Sequence, residues 1–565
     1  MSEKQKNDEE ENSTFYLGLK KNLRDFLQNS TLHGLKYIAD EKITIFERSF
    51  FGLSFIFVIL CSAFFISNIY TKWSETPIII TTSPQPTFIT TIPFPAVTIC
   101  SLNKALKSRV LQLDNSTLNY TLLMSLCAKN FKANLFFGQL SWKNFKLLLM
   151  RVAQPCDQML AYCRFGSKPE ECIKIFNPVL TDEGLCCTFN ALDPHFLLKN
   201  YTETERFGKS TTDDNIPIDW TPEKGFSNNL PLKFFPRVAA GTGSQMGLTV
   251  VLNASSFEYY CSSSKSIGFK VLVHNPAEQP KISNFGFLVT AGRESRVSIE
   301  PQYQTAVSQV RGISTKIRQC LFSDEGNLNF YRTYSRKNCQ LECEAHIIYK
   351  RCGCILYYLP KIDPDTKICG PKDNQCSKSV QSEIQSTSGN YSCDSCLPAC
   401  FELSYNPTVT STKMVDGDFE TNDDYPTELW TDMEDVTIIH VYYLSNVFRS
   451  TTKGEIFGFT EFLSNIGGLL GLFMGFSFFS VIEILYFIVL RPNCDQRTKK
   501  RQKRKSERNL RNNNNVWMTP IKGRKPIRNG FGSNYPKNKT NAWDSHQFFI
   551  GLDNEPNDEV FPYIS

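Results

Sequence analysis

Two long apolar runs dominate the hydropathy pattern of the chain. Ser49–Thr71 holds 23 residues without a formal charge, fenced by Glu47 and Arg48 on one side and Lys72 on the other. About 20 apolar residues cross a bilayer, so this run predicts a membrane helix. It is too long and too far from the N-terminus for a cleaved signal peptide, which makes it a retained signal-anchor. The second run, Phe462–Leu490, is uncharged from Phe462 to Ile482 yet carries Gly467, Gly468, Gly471 and Gly475. Gly467, Gly471 and Gly475 recur every fourth residue, so a helix here presents one face of bare backbone. Such a face lets helices come very close and lets main-chain carbonyls face an assembly axis; a plain anchor needs neither. Between the runs, short β-branched segments bounded by Pro, Gly and Asn predict strands at Gly268–His274, Arg296–Glu300 and Thr437–Tyr443. Helical signals there are weaker. The best is Asn338–Tyr349, where Cys339 and Cys343 at i, i+4 share a face.

Two spans put both termini on one side, and charge says which. Before Ser49 there are 8 basic and 9 acidic residues; from Arg491 onward there are 16 basic and 7 acidic. The formal net charge of +6 therefore comes from the C-terminal tail, where 9 of the 15 residues Arg497–Arg511 are Lys or Arg. Positive flanks stay cytoplasmic, so the middle of the chain faces outward. The basic run also suits anionic lipid headgroups, at about 1 kcal/mol per residue near the surface. As a topology signal followed by a disordered tail it needs no lipid partner.

Cysteine usage supports this orientation. Of 20 cysteines, Cys61 lies in the first run and Cys494 follows the second; the other 18 lie between them. An even, clustered set in an extracellular segment reads as a disulfide framework. Ten fall in Cys320–Cys400, with no well-spaced His partners, so zinc is the weaker reading. Spacing alone leaves the connectivity open. Sequons at Asn115, Asn119, Asn200, Asn253 and Asn390 fit glycosylation of the same region.

At this point the motifs resemble those of the degenerin/epithelial sodium channel family, and most of all its insect pickpocket branch. His33-Gly34 resembles the family's gating motif before the first span. Phe94–Cys100 (FPAVTIC) with Asn103 resembles its FPAVTxCN segment, and Gly184–Asn190 (GLCCTFN) its GxCYTFN segment, with Cys187 in place of the aromatic. Tyr334-Ser335, Cys339–Cys343 and Cys352-Gly353-Cys354 resemble the start of its thumb. Ser464–Gly468 and Gly475-Phe476-Ser477 resemble its gate and its GxS selectivity filter. A lone HG or GxS means little; six motifs in order around two spans are specific.

The resemblance implies a fold: two transmembrane helices and a large disulfide-rich α+β ectodomain of palm, knuckle, finger, β-ball and thumb, assembled as a trimer. It divides the chain into a cytoplasmic N-terminus (1–48), helix one (49–71), an extracellular domain (72–455, thumb about 320–400), a pore-lining helix (456–490) and a basic, largely disordered tail (491–565). It implies the disulfides Cys100–Cys186, Cys163–Cys172, Cys320–Cys400, Cys339–Cys396, Cys343–Cys393, Cys352–Cys376 and Cys354–Cys369. Cys127, Cys156, Cys187 and Cys261 stay unassigned. In the pore helix it implies a gate of Ser464, Asn465, Gly467, Gly468 and Gly471 and a filter of Gly475, Phe476 and Ser477. Many relatives carry Asp where Asn465 stands, which removes charge from the gate here. Glu483 sits where an inner carboxylate ring would lie, or an interfacial residue near Arg491. Tyr70 and Trp73 end the first span as interfacial aromatics.

The function so implied is the pore-forming subunit of a non-voltage-gated, amiloride-sensitive, sodium-selective channel, sensory or epithelial. It would sit in the plasma membrane with both termini cytoplasmic, as a homo- or hetero-trimer with related subunits, with sodium ions as permeant. No cofactor, metal or nucleic acid is expected. A two-pass, disulfide-rich receptor or adhesion protein is the alternative, but it would not need the glycine face. An enzyme is disfavoured: only 6 His occur, and G-x-S-x-G, H-E-x-x-H and phosphate-loop motifs are absent. No Arg-rich membrane helix marks a voltage sensor.

Overall fold

A computed structural model describes residues 23–75, 77–113, 119, 123–124, 126–127, 142–199, 216–231, 233–362, 366–386, 392–415, 433–456 and 458–514. The chain divides into two compact units, one of residues 27–480 and one of residues 1–26 with 481–565.

In the larger unit, Ile45–Glu75 forms one continuous helix of 31 residues. At 1.5 Å per residue it is about 46 Å long, more than the hydrocarbon core requires. It is long and apolar enough to cross a membrane; Phe459–Met474 and Phe478–Leu490 pass the same test only when taken together across a break. Phe459–Met474 packs against the Ile45–Glu75 helix through stacked rings, Phe462 on Trp73 at 4.7 Å and Phe473 on Phe65 at 5.8 Å. Rising numbers on one helix meet falling numbers on the other, so the two run antiparallel.

Between these helices the chain folds around an eight-stranded sheet. Its order is Ile78–Thr82, Thr451–Glu455, Arg293–Ala306, Val436–Tyr443, Leu248–Asn253, Leu160–Phe165 and Lys168–Glu170. The eighth strand, Glu402–Lys413, pairs with the long Arg293–Ala306 strand from Arg293↔Lys413 to Gln304↔Glu402. A five-stranded sheet runs Phe287–Thr290, Gly268–His274, Ala96–Ser101, Gly184–Phe189 and Phe176–Thr181. Residues of both sheets share one core, including Val97, Phe189, Phe269, Val297, Ile439 and Tyr443. Phe94 sits where they meet, edge-on to Phe165, Phe189 and Tyr443. The Tyr405 and Tyr443 hydroxyls both donate to the Pro93 carbonyl, at 2.8 and 3.1 Å, so two buried phenols are satisfied beside that core.

Nine disulfides staple this unit: Cys100–Cys186, Cys127–Cys261, Cys156–Cys187, Cys163–Cys172, Cys320–Cys400, Cys339–Cys396, Cys343–Cys393, Cys352–Cys376 and Cys354–Cys369. The pairs Cys127–Cys261 and Cys156–Cys187 join the four cysteines that spacing and resemblance left over. Cys187, standing where the motif has an aromatic, is thus half of a bridge rather than a lost ring. Cys61 and Cys494 are unpaired.

The strand readings fall inside observed strands, Gly268–His274 with the same bounds and the other two as parts of longer ones. The helix read at Asn338–Tyr349 extends to Arg336–Cys352, capped by the Ser335 side chain on the Asn338 N–H and ended by Gly353 at φ 67°. Asn374–Gln385 and Trp142–Val152 are further helices that the apolar pattern did not announce.

In the smaller unit, Tyr486–Leu490 is a short π-helical turn that continues into a helix over Arg491–Asn514. The sequence reading of 491–565 as a largely disordered tail did not anticipate this helix. From Asn493 to Asn514 it contains no Pro or Gly, and Arg, Lys and Gln are good helix formers, so charge alone did not exclude a helix. Arg491 pairs with Asp25 at 2.5 Å and stacks over Phe487, whose ring meets Phe26 edge-on at 5.4 Å. Residues 515–565 lie outside the described residues.

Candidate functional site

The second apolar run is interrupted at Gly475-Phe476-Ser477, between the helices Phe459–Met474 and Phe478–Leu485. Gly475 causes the break: its φ of 66° lies in the left-handed region that side chains disfavour. The Gly475 and Phe476 N–H groups donate back to Gly471 O and Leu470 O at 2.9 and 3.2 Å, closing the helix end. The three-glycine face expected from the fourfold spacing is therefore only partly realised. Gly467 and Gly471 lie on the helix; Gly475 ends it.

A Cβ added at Gly467 or Gly468 would meet nothing within 4 Å, and one at Gly471 only the Phe476 carbonyl at 3.8 Å. Ser464, Asn465, Gly467 and Gly468 are exposed, whereas Ile466, Leu469, Leu470 and Phe473 are half-buried. The helix thus keeps its aromatic contacts on one side and a smooth, partly polar surface on the other.

His33 and Gly34 lie against the break. The His33 N–H donates to the Met474 carbonyl at 3.1 Å. Its ring crowds Gly475 so closely that a Cβ there would fall 2.5 Å from Cε1 and Nδ1. Gly34, at φ 88°, turns the chain into the short helix Leu35–Ala39. A non-glycine residue is strained at either glycine, and at Gly475 it also collides with His33.

On the far side of the break, Ser477 is exposed and Ser480 is buried. The Ser477 N–H donates to Ser480 Oγ at 3.1 Å, and Ser480 N–H donates to the Ser477 carbonyl at 2.9 Å. The first bond is the half of a capping box that a side chain in the third helical position supplies, and the second is a backbone turn bond. Ser480 Oγ is also 2.9 Å from Thr31 Oγ1. Sequence reading missed both Thr31 and Ser480. The S-x-x-S spacing of Ser477 and Ser480 was a legible cap signal; Thr31 offered none. Glu483 is half-buried on the Phe478–Leu485 helix.

Elsewhere, Tyr70 and Trp73 neighbour each other at the end of their helix, 6.2 Å apart. Asn253 is exposed at a strand end, and Asn119 is described; Asn115, Asn200 and Asn390 lie outside the described residues. Among the described residues no group of His, Cys, Asp and Glu could hold a metal ion.

Comparison with known proteins gives consistent matches. The family described as "Amiloride-sensitive sodium channel" matches residues 26–487. Pickpocket protein 28 of Drosophila melanogaster is 53% identical over 524 residues, covering 91% of this chain and 85% of that one. Sodium channel protein Nach of Drosophila ananassae is 24% identical, covering 85% and 90%. Human acid-sensing ion channel 2 is 24% identical, covering 82% and 85%.

Proposed function

As the chain belongs to the amiloride-sensitive sodium channel family, we propose that it is the pore-forming subunit of a non-voltage-gated, amiloride-blocked, sodium-selective channel of the plasma membrane. Three copies, identical or related, surround a pore lined by the glycine-bearing helix. Each copy crosses the membrane twice and keeps both termini in the cytoplasm. Its setting is sensory or epithelial.

The observation that carries this reading is the break at Gly475–Ser477. A helix that ends inside an apolar run frees backbone groups where no lipid-facing helix tolerates them, a feature reserved for segments that line a water-filled path. Carbonyls at a narrow break suit a hard monovalent cation by replacing part of its water shell. The smooth surface at Ser464–Gly468 supports the trimer, because small residues let neighbouring helices come close. Ser464 and Asn465 then act as gate, and Glu483 as an inner ring. The basic helix, exposed from Arg497 to Asn509, favours contact with anionic headgroups of the inner leaflet.

The test is expression in oocytes with ion substitution and amiloride. Ser464→Val, which props a close-packed gate apart, is expected to raise the resting sodium current several-fold over the parent. An unchanged current with normal surface labelling removes Ser464 from the gate, and a potassium-selective current overturns the filter assignment.

A further inference from the structure

The helix Arg491–Asn514 sorts its basic residues by side. Arg497, Arg501, Arg504 and Arg508 are spaced by four, three and four residues. At about 100° per residue they fall within about 60° of arc and form one stripe along the helix. Lys499, Lys503 and Ser506 fall on the opposite side, and every residue from Arg497 to Asn509 is exposed. The stripe is made of arginine, whose planar fork matches two oxygens of a phosphate, whereas lysine offers a point charge.

Arg497 and Arg508 stand 7 and 18 residues past Leu490, the last apolar residue of the second run. Along a helix axis that is about 10 and 27 Å. A helix standing straight out of a bilayer would hold Arg508 about three Debye lengths from the headgroups, where their charge is screened. All four arginines reach the surface only where the helix lies down on it. A bend point exists at the right place: the π-helical turn Tyr486–Leu490 with Pro492 close behind, both common causes of kinks. Laid on its arginine stripe, the helix turns Ser506 toward the cytosol.

Two hydroxyls stand in the exposed stretch. Thr498 Oγ1 donates to the Cys494 carbonyl at 2.5 Å and is held by its own helix. Ser506 directly follows Lys503, Arg504 and Lys505, a charge pattern of the kind by which kinases choose substrates. From Arg497 to Asn509 the helix buries no side chain, so opening one turn in a kinase cleft costs little.

We propose that Ser506 is a phosphorylation site for a serine kinase selective for basic sequences, and that its phosphate loosens the arginine stripe from anionic phospholipid headgroups. This rests on the tail being cytoplasmic and touching the inner leaflet. The Ser506 oxygen attacks the γ-phosphorus of ATP, the bond to ADP breaks, and the hydroxyl proton passes to the kinase. The phosphate adds nearly two negative charges. It sits across a helix about 10 Å wide, so at a Debye length of about 8 Å it acts on the headgroups at about a third of full strength. Docking then falls about threefold, whereas neutralising two arginines of the stripe lowers it about thirtyfold, at about 1 kcal/mol per charge.

The test uses the full-length channel in nanodiscs of phosphatidylcholine with or without brominated phosphatidylserine. A fluorophore on Asn509→Cys, in the Cys494→Ser background, reports docking by its quenching. The probe kinase is the catalytic subunit of cyclic-AMP-dependent kinase, supplied with ATP. Phosphate is expected on Ser506, lost in Ser506→Ala and kept in Thr498→Ala, with about a threefold fall in the docked-to-free ratio. Arg501→Gln with Arg508→Gln is expected to lower that ratio about thirtyfold, and the charge-matched Lys499→Gln with Lys503→Gln about threefold. No phosphate on Ser506, undiminished docking after full phosphorylation, or equal losses from the two charge-matched pairs overturns the proposal and leaves the lipid contact standing. An unphosphorylated parent that ignores phosphatidylserine overturns the lipid contact and the proposal together. Phosphate gained in discs but never in intact oocytes with the kinase active overturns the cytoplasmic placement on which both rest.

Discussion

His274 shows how one buried side chain makes the ectodomain sensitive to acid. Its Nδ1 lies 3.0 Å from the Asn275 carbonyl, and a carbonyl only accepts, so Nδ1 carries the proton. Nε2 then accepts from the Thr98 hydroxyl at 2.9 Å, which in turn accepts from Thr188 at 2.9 Å. The neutral ring is fully satisfied, and burial holds its pKa down, from 6.5 to about 3. Between those two values the unfolded chain binds a proton that the folded chain refuses, so stability falls as pH drops through the window. Thermal unfolding of the purified channel across pH 7 to 3 is expected to show this slope. His274→Gln is expected to flatten it while costing about 1–3 kcal/mol at neutral pH through a disturbed buried network. A slope identical to the parent's would mean that other groups carry the acid sensitivity.

At the scale of elements, the second apolar run is the part where glycine spacing and structure diverge most usefully, although the family resemblance itself implies an interruption at the GxS tripeptide. Counting glycines at every fourth position treated Gly475 as one more small residue on a continuous face. Spacing cannot show φ, and the positive φ of Gly475 turns the same residue into a helix terminator. Gly475→Ala is accordingly expected to abolish most of the current with little loss of surface protein, because its Cβ meets His33 at 2.5 Å in a strained backbone region. Whole-cell current against surface biotinylation checks this, and normal current would show that the break tolerates a side chain. The strands were easier to read. Gly268–His274 alternates little, yet its β-branched run between Gly and Asn-Pro was sufficient. Asn374–Gln385 was missed because its apolar residues are few, and Trp142–Val152 because its unbroken apolar run Leu147–Met150 shows no helical period. The Arg491–Asn514 helix was missed because a run of like charges reads as solvated chain whatever its backbone does.

For the whole molecule, the disulfides decide how much of the fold holds without its core. Motif resemblance supplied seven pairings that spacing could not, while Cys127–Cys261 and Cys156–Cys187, separated by 134 and 31 residues, came only from the folded chain. Cys320–Cys400 closes a separation of 80 residues and Cys352–Cys376 one of 24. On the chain-entropy account these are worth about 4.5 and 3.5 kcal/mol. Cys320 and Cys400 are also fully buried, packed with Ala306 and Phe322, so their loss leaves a hole as well. Replacing Cys320 and Cys400 together by serine is expected to cut surface yield well below the Cys352/Cys376 double replacement. Equal yields would indicate that the longer bridge adds no folding stability.

Just beyond the two apolar helices, Ile78–Thr82 lies antiparallel to Thr451–Glu455, matched residue for residue from Ile78↔Glu455 to Thr82↔Thr451. One strand leaves the Ile45–Glu75 helix and the other leads into Phe459–Met474. The ladder is therefore a yoke: tension drawn along either strand reaches both helices, because it loads the rungs together in shear instead of opening them one at a time. Thr451–Lys453 also lies beside Gln304–Ala306, so the long Arg293–Ala306 strand grips the same yoke from its other edge. Strain carried by the sheet therefore reaches Ile45–Glu75 and Phe459–Met474 as one stroke on two helices.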